Sequence, residues 1–104
     1  MNVTIKALAE MIGTFAIISV GGLSIILSEK HGFAQIGIPL TWGIMVCLMI
    51  IAVGPISGAH FNPAVTLAFA LTRRIPAAEV AIYWASQFIG GTAAAYLLIT
   101  LRKI

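Results

Sequence analysis

"SGAHFNPAVT", residues 57–66, places a Ser, a His, an Asn and a Thr beside a helix-restricting Pro in a chain whose flanking residues suit lipid. Asn62 is a good N-cap and Pro63 a good first helical residue, so a helix is predicted to begin there. The charged pair Arg73 and Arg74 stops it about ten residues, or ~15 Å, further on. That length is half of the ~30 Å hydrocarbon core of a bilayer. The stretch therefore reads as a half-helix that starts at mid-membrane depth.

Composition fixes the solvent. The chain has 104 residues, 61% of them hydrophobic and 9% charged, with a mean hydropathy of +1.08, whereas an ordinary soluble domain carries about 25% charged residues. No charge falls between Glu10 and Glu29, from Gly32 to Ala59, or from Val80 to Leu101. The first and last blocks are about as long as one crossing, which takes ~20 residues. The middle block is too long for a single span and is broken at Gly54-Pro55 and Ser57-Gly58. Lys6 ahead of an apolar run has the look of a secretory signal, but Glu10 interrupts the approach and no small-x-small site follows, so a retained first helix is expected. The single Cys47 lies within an apolar span and reads as a small core hydrophobe. The net charge of +3 is spread over the ends and loops, which gives no support to nucleic-acid binding. No enzyme, cofactor or metal site is expected.

Breaks and caps give an all-α integral membrane fold with three transmembrane helices and one re-entrant half-helix, a single membrane domain over residues 1–104. The spans are predicted at about 4–27, 37–53 and 76–101, with a polar turn at Ser28–Gln35 and a re-entrant loop and half-helix at about 54–72. Pro39 falls in the first turn of the second span, where a missing N–H is tolerated. Glu79 falls in the first turn of the last, where the helix dipole favours an anion.

Irregular backbone at membrane depth is tolerated only where protein buries it or where it lines a watery cavity. A half-helix that begins there offers free N–H groups, and the preceding loop offers free carbonyls. Such a ladder can replace the hydration of a small neutral molecule in single file while repelling cations. The plain alternative is that Asn-Pro merely starts a helix, as in many soluble proteins.

The string "SGAHFNPAVT" resembles the first Asn-Pro-Ala box of the aquaporin and glycerol-facilitator (major intrinsic protein) family. "AEMIGTF", residues 9–15, resembles the start of that family's first helix, and "YWASQFIGG", residues 83–91, resembles its third more weakly. "HFNPAVTLAFALTRRIP" is most similar to the nodulin-type branch, whose members pass glycerol, urea or small uncharged metalloid acids. The resemblance covers the whole chain but only the N-terminal one of the family's two inverted repeats. It implies a multi-pass protein of the cell (plasma or inner) membrane with a cytoplasmic N-terminus, working as a passive channel for water and small neutral solutes such as glycerol.

Carried to these positions, the resemblance makes Asn62 the mid-pore donor and Pro63 and Ala64 the packed tip that meets a partner tip. Gly58, Ala59 and His60 would present carbonyls to the solute, with a satisfied buried histidine as the alternative for His60. Glu10 would be the carboxylate that holds loop N–H groups, since an acid within a membrane segment is functional by default; an interfacial acid is the alternative. Gln87 would brace the loop or make a plain interhelical hydrogen bond. Trp42 would supply the aromatic of the outer constriction, as in the glycerol-conducting branches, unless it belongs to the interfacial belt. Helical spacing sets Val46, Met49 and Ile50 near it as an apolar wall. Ser86, Gly90 and Ala94 form a ridge of small residues for close helix packing.

The departure from the family is the missing second half. Val65 stands where the second box usually carries an Arg. One half cannot close a pore, so a second half-repeat is the expected partner, either a missing C-terminal half or an antiparallel copy of this chain in a homo-oligomer within the lipid bilayer. Lys6, Arg73 and Arg74 on one face balance Lys30, Arg102 and Lys103 on the other, as a dual-topology chain needs. Two other readings remain at this level. One is a small proton-coupled exporter of dual topology using Glu10, and the other a non-conducting fragment.

Overall fold

A computed structural model describes residues 2–104, and among them the chain is helical and without strands. Helix α1 spans Val3–His31, α2 Gly37–Ser57 and α3 Pro63–Leu71; a 3-10 turn at Ala77–Glu79 leads into α4, Val80–Arg102. Three of these segments are long and apolar enough to cross a bilayer: Val3–His31, Gly37–Ser57 and Ala77–Arg102. The longest dimension is 45 Å, close to the ~40–45 Å of a bilayer with its headgroup regions.

Local chemistry explains the ends. Asn2 caps α1 by accepting from the Thr4 N–H, and Gly32, at φ 69°, closes it with its own N–H on the Ser28 carbonyl. The polar residues Ser28–His31 are thus the last turn of α1 rather than part of the predicted Ser28–Gln35 turn. A span entering the headgroup region keeps its helical bonds while its side chains turn polar, so polarity marks the lipid boundary and not the helix end. Similarly α2 passes Val53 and runs through Pro55 to Ser57. Proline removes only its own N–H bond, and Gly58, at φ 89°, supplies the left-handed cap that ends the helix one turn later. The irregular segment is therefore 58–62, so the re-entrant stretch predicted from about 54 opens about one helical turn later.

Two ion pairs fix the direction of the spans. Lys6 meets Glu79 at 3.3 Å at the start of α1 and α4, and Arg102 meets Glu29 at 2.9 Å at their far ends. So α1 and α4 run parallel, and α2, joined to α1 by a short turn, returns between the two faces. Helix α3 starts deep in the bundle and leads back to the face where α4 begins. The buried residues of α4 include Ser86, Gly90 and Ala94, which places the ridge of small residues against α1. Its tightest point is Gly90, where an added Cβ would run into the carbonyl oxygen of Met11.

That contact is with backbone, which cannot swing aside. Gly90→Ala is therefore expected to destabilise the fold by ~1–3 kcal/mol, read as a lowered Tm in detergent. Gly43→Ala, where a Cβ meets nothing within 4 Å, should leave it unchanged.

Candidate functional site

Glu10 sits seven residues into α1, fully buried among α1, the 58–62 segment and α4. Its Oε2 accepts from the Ser57 hydroxyl at 2.7 Å and the His60 backbone N–H at 3.0 Å. Its Oε1 accepts from the Phe61 backbone N–H and from the Gln87 amide, both at 2.8 Å. All four partners are donors, which suits a carboxylate acting as acceptor only. Burying such a group carries a penalty of several kcal/mol. Hydrogen bonds to a charged group return ~1.5–3 kcal/mol apiece, so four of them can hold it there.

The same bonds shape the backbone. Ala59 and Phe61 have φ of 56° and 55°, left-handed values that strain a non-glycine residue by ~1–2 kcal/mol. Two N–H groups turned onto one carboxylate make an anion nest of the kind that such backbone alternation produces. The Gly58 N–H reaches the Gly54 carbonyl at 2.8 Å and the Ala59 N–H the Ser57 hydroxyl at 3.1 Å. Every N–H from 58 to 61 is thus engaged, whereas the carbonyls of Gly58, Ala59 and His60 accept nothing from the described residues.

Asn62 caps α3, accepting from the Ala64 N–H at 2.8 Å, and Pro63 occupies the first helical position. With its oxygen used in the cap, the Asn62 side chain keeps its N–H₂ donors, which meet no acceptor among the described residues, and the residue is exposed. Pro63 is braced from α4 by the Trp84 indole, which donates to its carbonyl at 3.0 Å. Asn62 and Pro63 border a cavity of about 430 Å³ together with Thr14, Ile18, Gln87 and Gly91. Since Ile18 and Gly91 lie near the middle of α1 and α4, the tip of α3 is at mid-depth.

His60 is buried, its ring stacked on Phe69 at 4.5 Å between centroids and tilted against Tyr83 at 4.9 Å. Its Nδ1 lies 2.9 Å from the Thr66 hydroxyl, which also accepts from Gln87 at 2.9 Å. Tyr83 donates to the Ser57 carbonyl at 2.7 Å. The structure thus gathers Glu10, Gly58, Ala59, His60, Asn62, Pro63, Ala64 and Gln87 into one region. Trp42 and Val46 stand apart on α2. Trp42 lies against Gly21 of α1, roughly 5–10 Å beyond the tip toward the opposite face, and Val46 is exposed.

Ser57, Thr66 and Tyr83 are absent from the set read out of the sequence, although each bonds directly to the segment or to its supports. Their signal is one of spacing. Thr66 is one helical turn past Asn62, and Tyr83 is one turn before Gln87 on the same face of α4.

Replacing Glu10 separates its effects. Gln keeps one acceptor oxygen but opposes an amide to the second pair of donors, whereas Ala leaves buried donors unpaired at ~1–3 kcal/mol each. Glu10→Ala should lower the Tm clearly more than Glu10→Gln. Equal losses would mean that the negative charge, not the acceptor geometry, matters.

The sequence profile described as Major intrinsic protein matches residues 1–103. The chain is 45% identical over 95 residues to Aquaporin NIP2-1 of Zea mays, covering 89% of this chain and 32% of that protein. It is 49% identical over 92 residues to Aquaporin NIP1-1 of Oryza sativa subsp. japonica, covering 86% and 32%. Against Putative aquaporin NIP4-1 of Arabidopsis thaliana it is 43% identical over 103 residues, covering 97% and 36%. The chain spans about a third of the length of these curated relatives. On its sequence match and its helical architecture, this integral membrane protein belongs to the major intrinsic protein family.

Proposed function

We propose that this chain forms half of a passive channel for water and small uncharged solutes such as glycerol. The observation that carries the reading is the placement, at mid-depth, of exposed Asn62 donors beside carbonyls of Gly58, Ala59 and His60 that accept nothing from the described residues. A solute with hydroxyl groups both donates and accepts, so it exchanges water for this row with little loss. A cation meets the positive end of the α3 dipole and the Asn62 amide, both unfavourable to it. Pro63 and Ala64 form the tip, and Glu10 and Gln87 keep the carbonyl row in place.

Trp42 acts as an aromatic constriction nearer the opposite face, with Val46 one turn along α2 as apolar wall. A second half-repeat, supplied by a further stretch of chain or by another copy, completes the path, because α3 crosses only half the core. The assembly works as a homo-oligomer in the plasma or inner membrane and carries out no chemical conversion. An exporter driven by protons would need Glu10 to exchange protons with water. Its complete burial and four donors speak for a structural acid instead.

Vesicles holding the assembled protein should take up glycerol downhill at a rate that a protonophore does not change. Uptake that collapses with the proton gradient would overturn the channel reading. In the same vesicles Asn62→Asp should open a cation leak, since a carboxylate offers acceptors where donors are needed; unchanged flux without a leak would remove Asn62 from the path. Trp42→Ala should change the ratio of glycerol to water flux, and a fixed ratio would assign the residue to the interfacial belt.

A further inference from the structure

A neutral imidazole carries its single proton on one of two ring nitrogens, and which one is set by what the other nitrogen meets. His60 is buried, with Nδ1 2.9 Å from the Thr66 hydroxyl. A hydroxyl can serve that nitrogen either as donor or as acceptor. The groups behind Thr66 decide between the two.

The order of donors begins at Glu10. Its carboxylate only accepts, so the Gln87 side chain turns its N–H₂ toward Oε1, at 2.8 Å. Turned over, the amide would set oxygen against oxygen. The same nitrogen carries a second proton and lies 2.9 Å from the Thr66 hydroxyl. Thr66 Oγ1 therefore accepts from Gln87, and its own proton needs an acceptor elsewhere. Thr41, Ser86 and Thr100 place theirs on the carbonyl four residues earlier. Thr66 does not: the Asn62 carbonyl takes its backbone N–H, and among the described residues its hydroxyl meets only Gln87 and His60. Glu10 and Thr66 are fully buried and Gln87 and His60 nearly so, so water does not take the proton. Only His60 Nδ1 is left to accept it. A proton on Nδ1 would instead strand the hydroxyl proton as a buried donor without a partner, an arrangement that proteins avoid.

We propose that Thr66 is a positioning residue that holds His60 in the tautomer protonated on Nε2, passing on through the Gln87 amide the donor order that the Glu10 carboxylate sets. The protonated edge of the ring lies beside Gly58, where an added Cβ would come within 3.2 Å of Nε2. The sealed polar side-chain atoms without a partner are Thr14 Oγ1, Ser19 Oγ and Gln87 Oε1. His60 Nε2 is not one of them, and it has no acceptor among the described residues, so its N–H stays free to meet a solute. Resting on the channel reading above, this sets a fixed donor next to the first carbonyl of the row. It also denies the path a basic ring nitrogen, because the only lone pair on the ring, at Nδ1, is held by Thr66.

The test reads the ring itself. With ¹⁵N in the histidine rings of the whole protein in lipid bilayers, and the His60 signals assigned through its backbone, solid-state NMR at neutral pH should show a bare Nδ1 that accepts a hydrogen bond and a protonated Nε2. Thr66→Ser keeps the hydroxyl and should keep this pattern. Thr66→Val keeps the shape without the hydroxyl and should displace the Nδ1 signal. A wild-type ring protonated on Nδ1, alone or together with Nε2, would overturn the proposal. So would an Nδ1 signal in Thr66→Val that stays at the wild-type position. Where Thr66→Val does not assemble, the wild-type and Thr66→Ser spectra decide. The spectrum needs no transport, so a failure to conduct glycerol would contradict the channel reading and leave the tautomer standing.

Discussion

One buried carboxylate organises this chain. Glu10, fully buried, gathers a hydroxyl, two backbone N–H groups and an amide from two separate parts of the sequence, residues 57–61 and Gln87. The balance is one of magnitudes. Two left-handed non-glycine residues and a desolvated charge are each unfavourable by one to several kcal/mol, and four charge-assisted hydrogen bonds together outweigh them. Remove the carboxylate and the 58–62 segment has no reason to hold its N–H groups inward. The carbonyls would then lose their common arrangement, and the half-helix its fixed starting point.

From that anchor the rest of the architecture follows. Ending α2 with Gly58 places the chain at the carboxylate. Starting α3 with Asn62-Pro63 turns it back toward the face it was about to reach. The brace from α4 comes in two layers, Gln87 and Tyr83 behind the segment and Trp84 on the Pro63 carbonyl. All of this depends on α1 and α4 approaching closely enough for Gly90 to lie on the Met11 carbonyl, which is why the ridge of small residues matters for a site it does not touch. Rigid supports on every side hold this short polar segment in a single arrangement.

Much of this is legible in the sequence, and the reasons differ from residue to residue. Asn62-Pro63 announces a helix start through local chemistry alone, and an acid in an apolar helix draws attention because burying one is expensive. The α1 and α2 ends are misjudged by about one turn because polarity and proline usually mark helix ends in water. At a membrane boundary a helix stays helical while its side chains change, and a proline in a last turn removes a single bond. Tyr83 and Thr66 escape notice because each type is ordinary in a membrane helix; only the fold shows that Tyr83 donates to the Ser57 carbonyl and that Thr66 links the His60 ring to the Gln87 amide. What covers the exposed face of α2 is not encoded in any local pattern, since apolar side chains serve lipid and protein equally well.

The most direct test is a distance between nuclei in the membrane itself. With ¹³C at the Glu10 carboxyl carbon and ¹⁵N at the His60 and Phe61 amides, solid-state NMR dipolar recoupling in lipid bilayers reports whether one carboxylate holds both N–H groups. Both nitrogens should show strong dephasing, consistent with N···O separations of 3.0 and 2.8 Å. Dephasing of neither would mean that the segment is held by something other than Glu10, and the account of this fold as built around that carboxylate would be wrong.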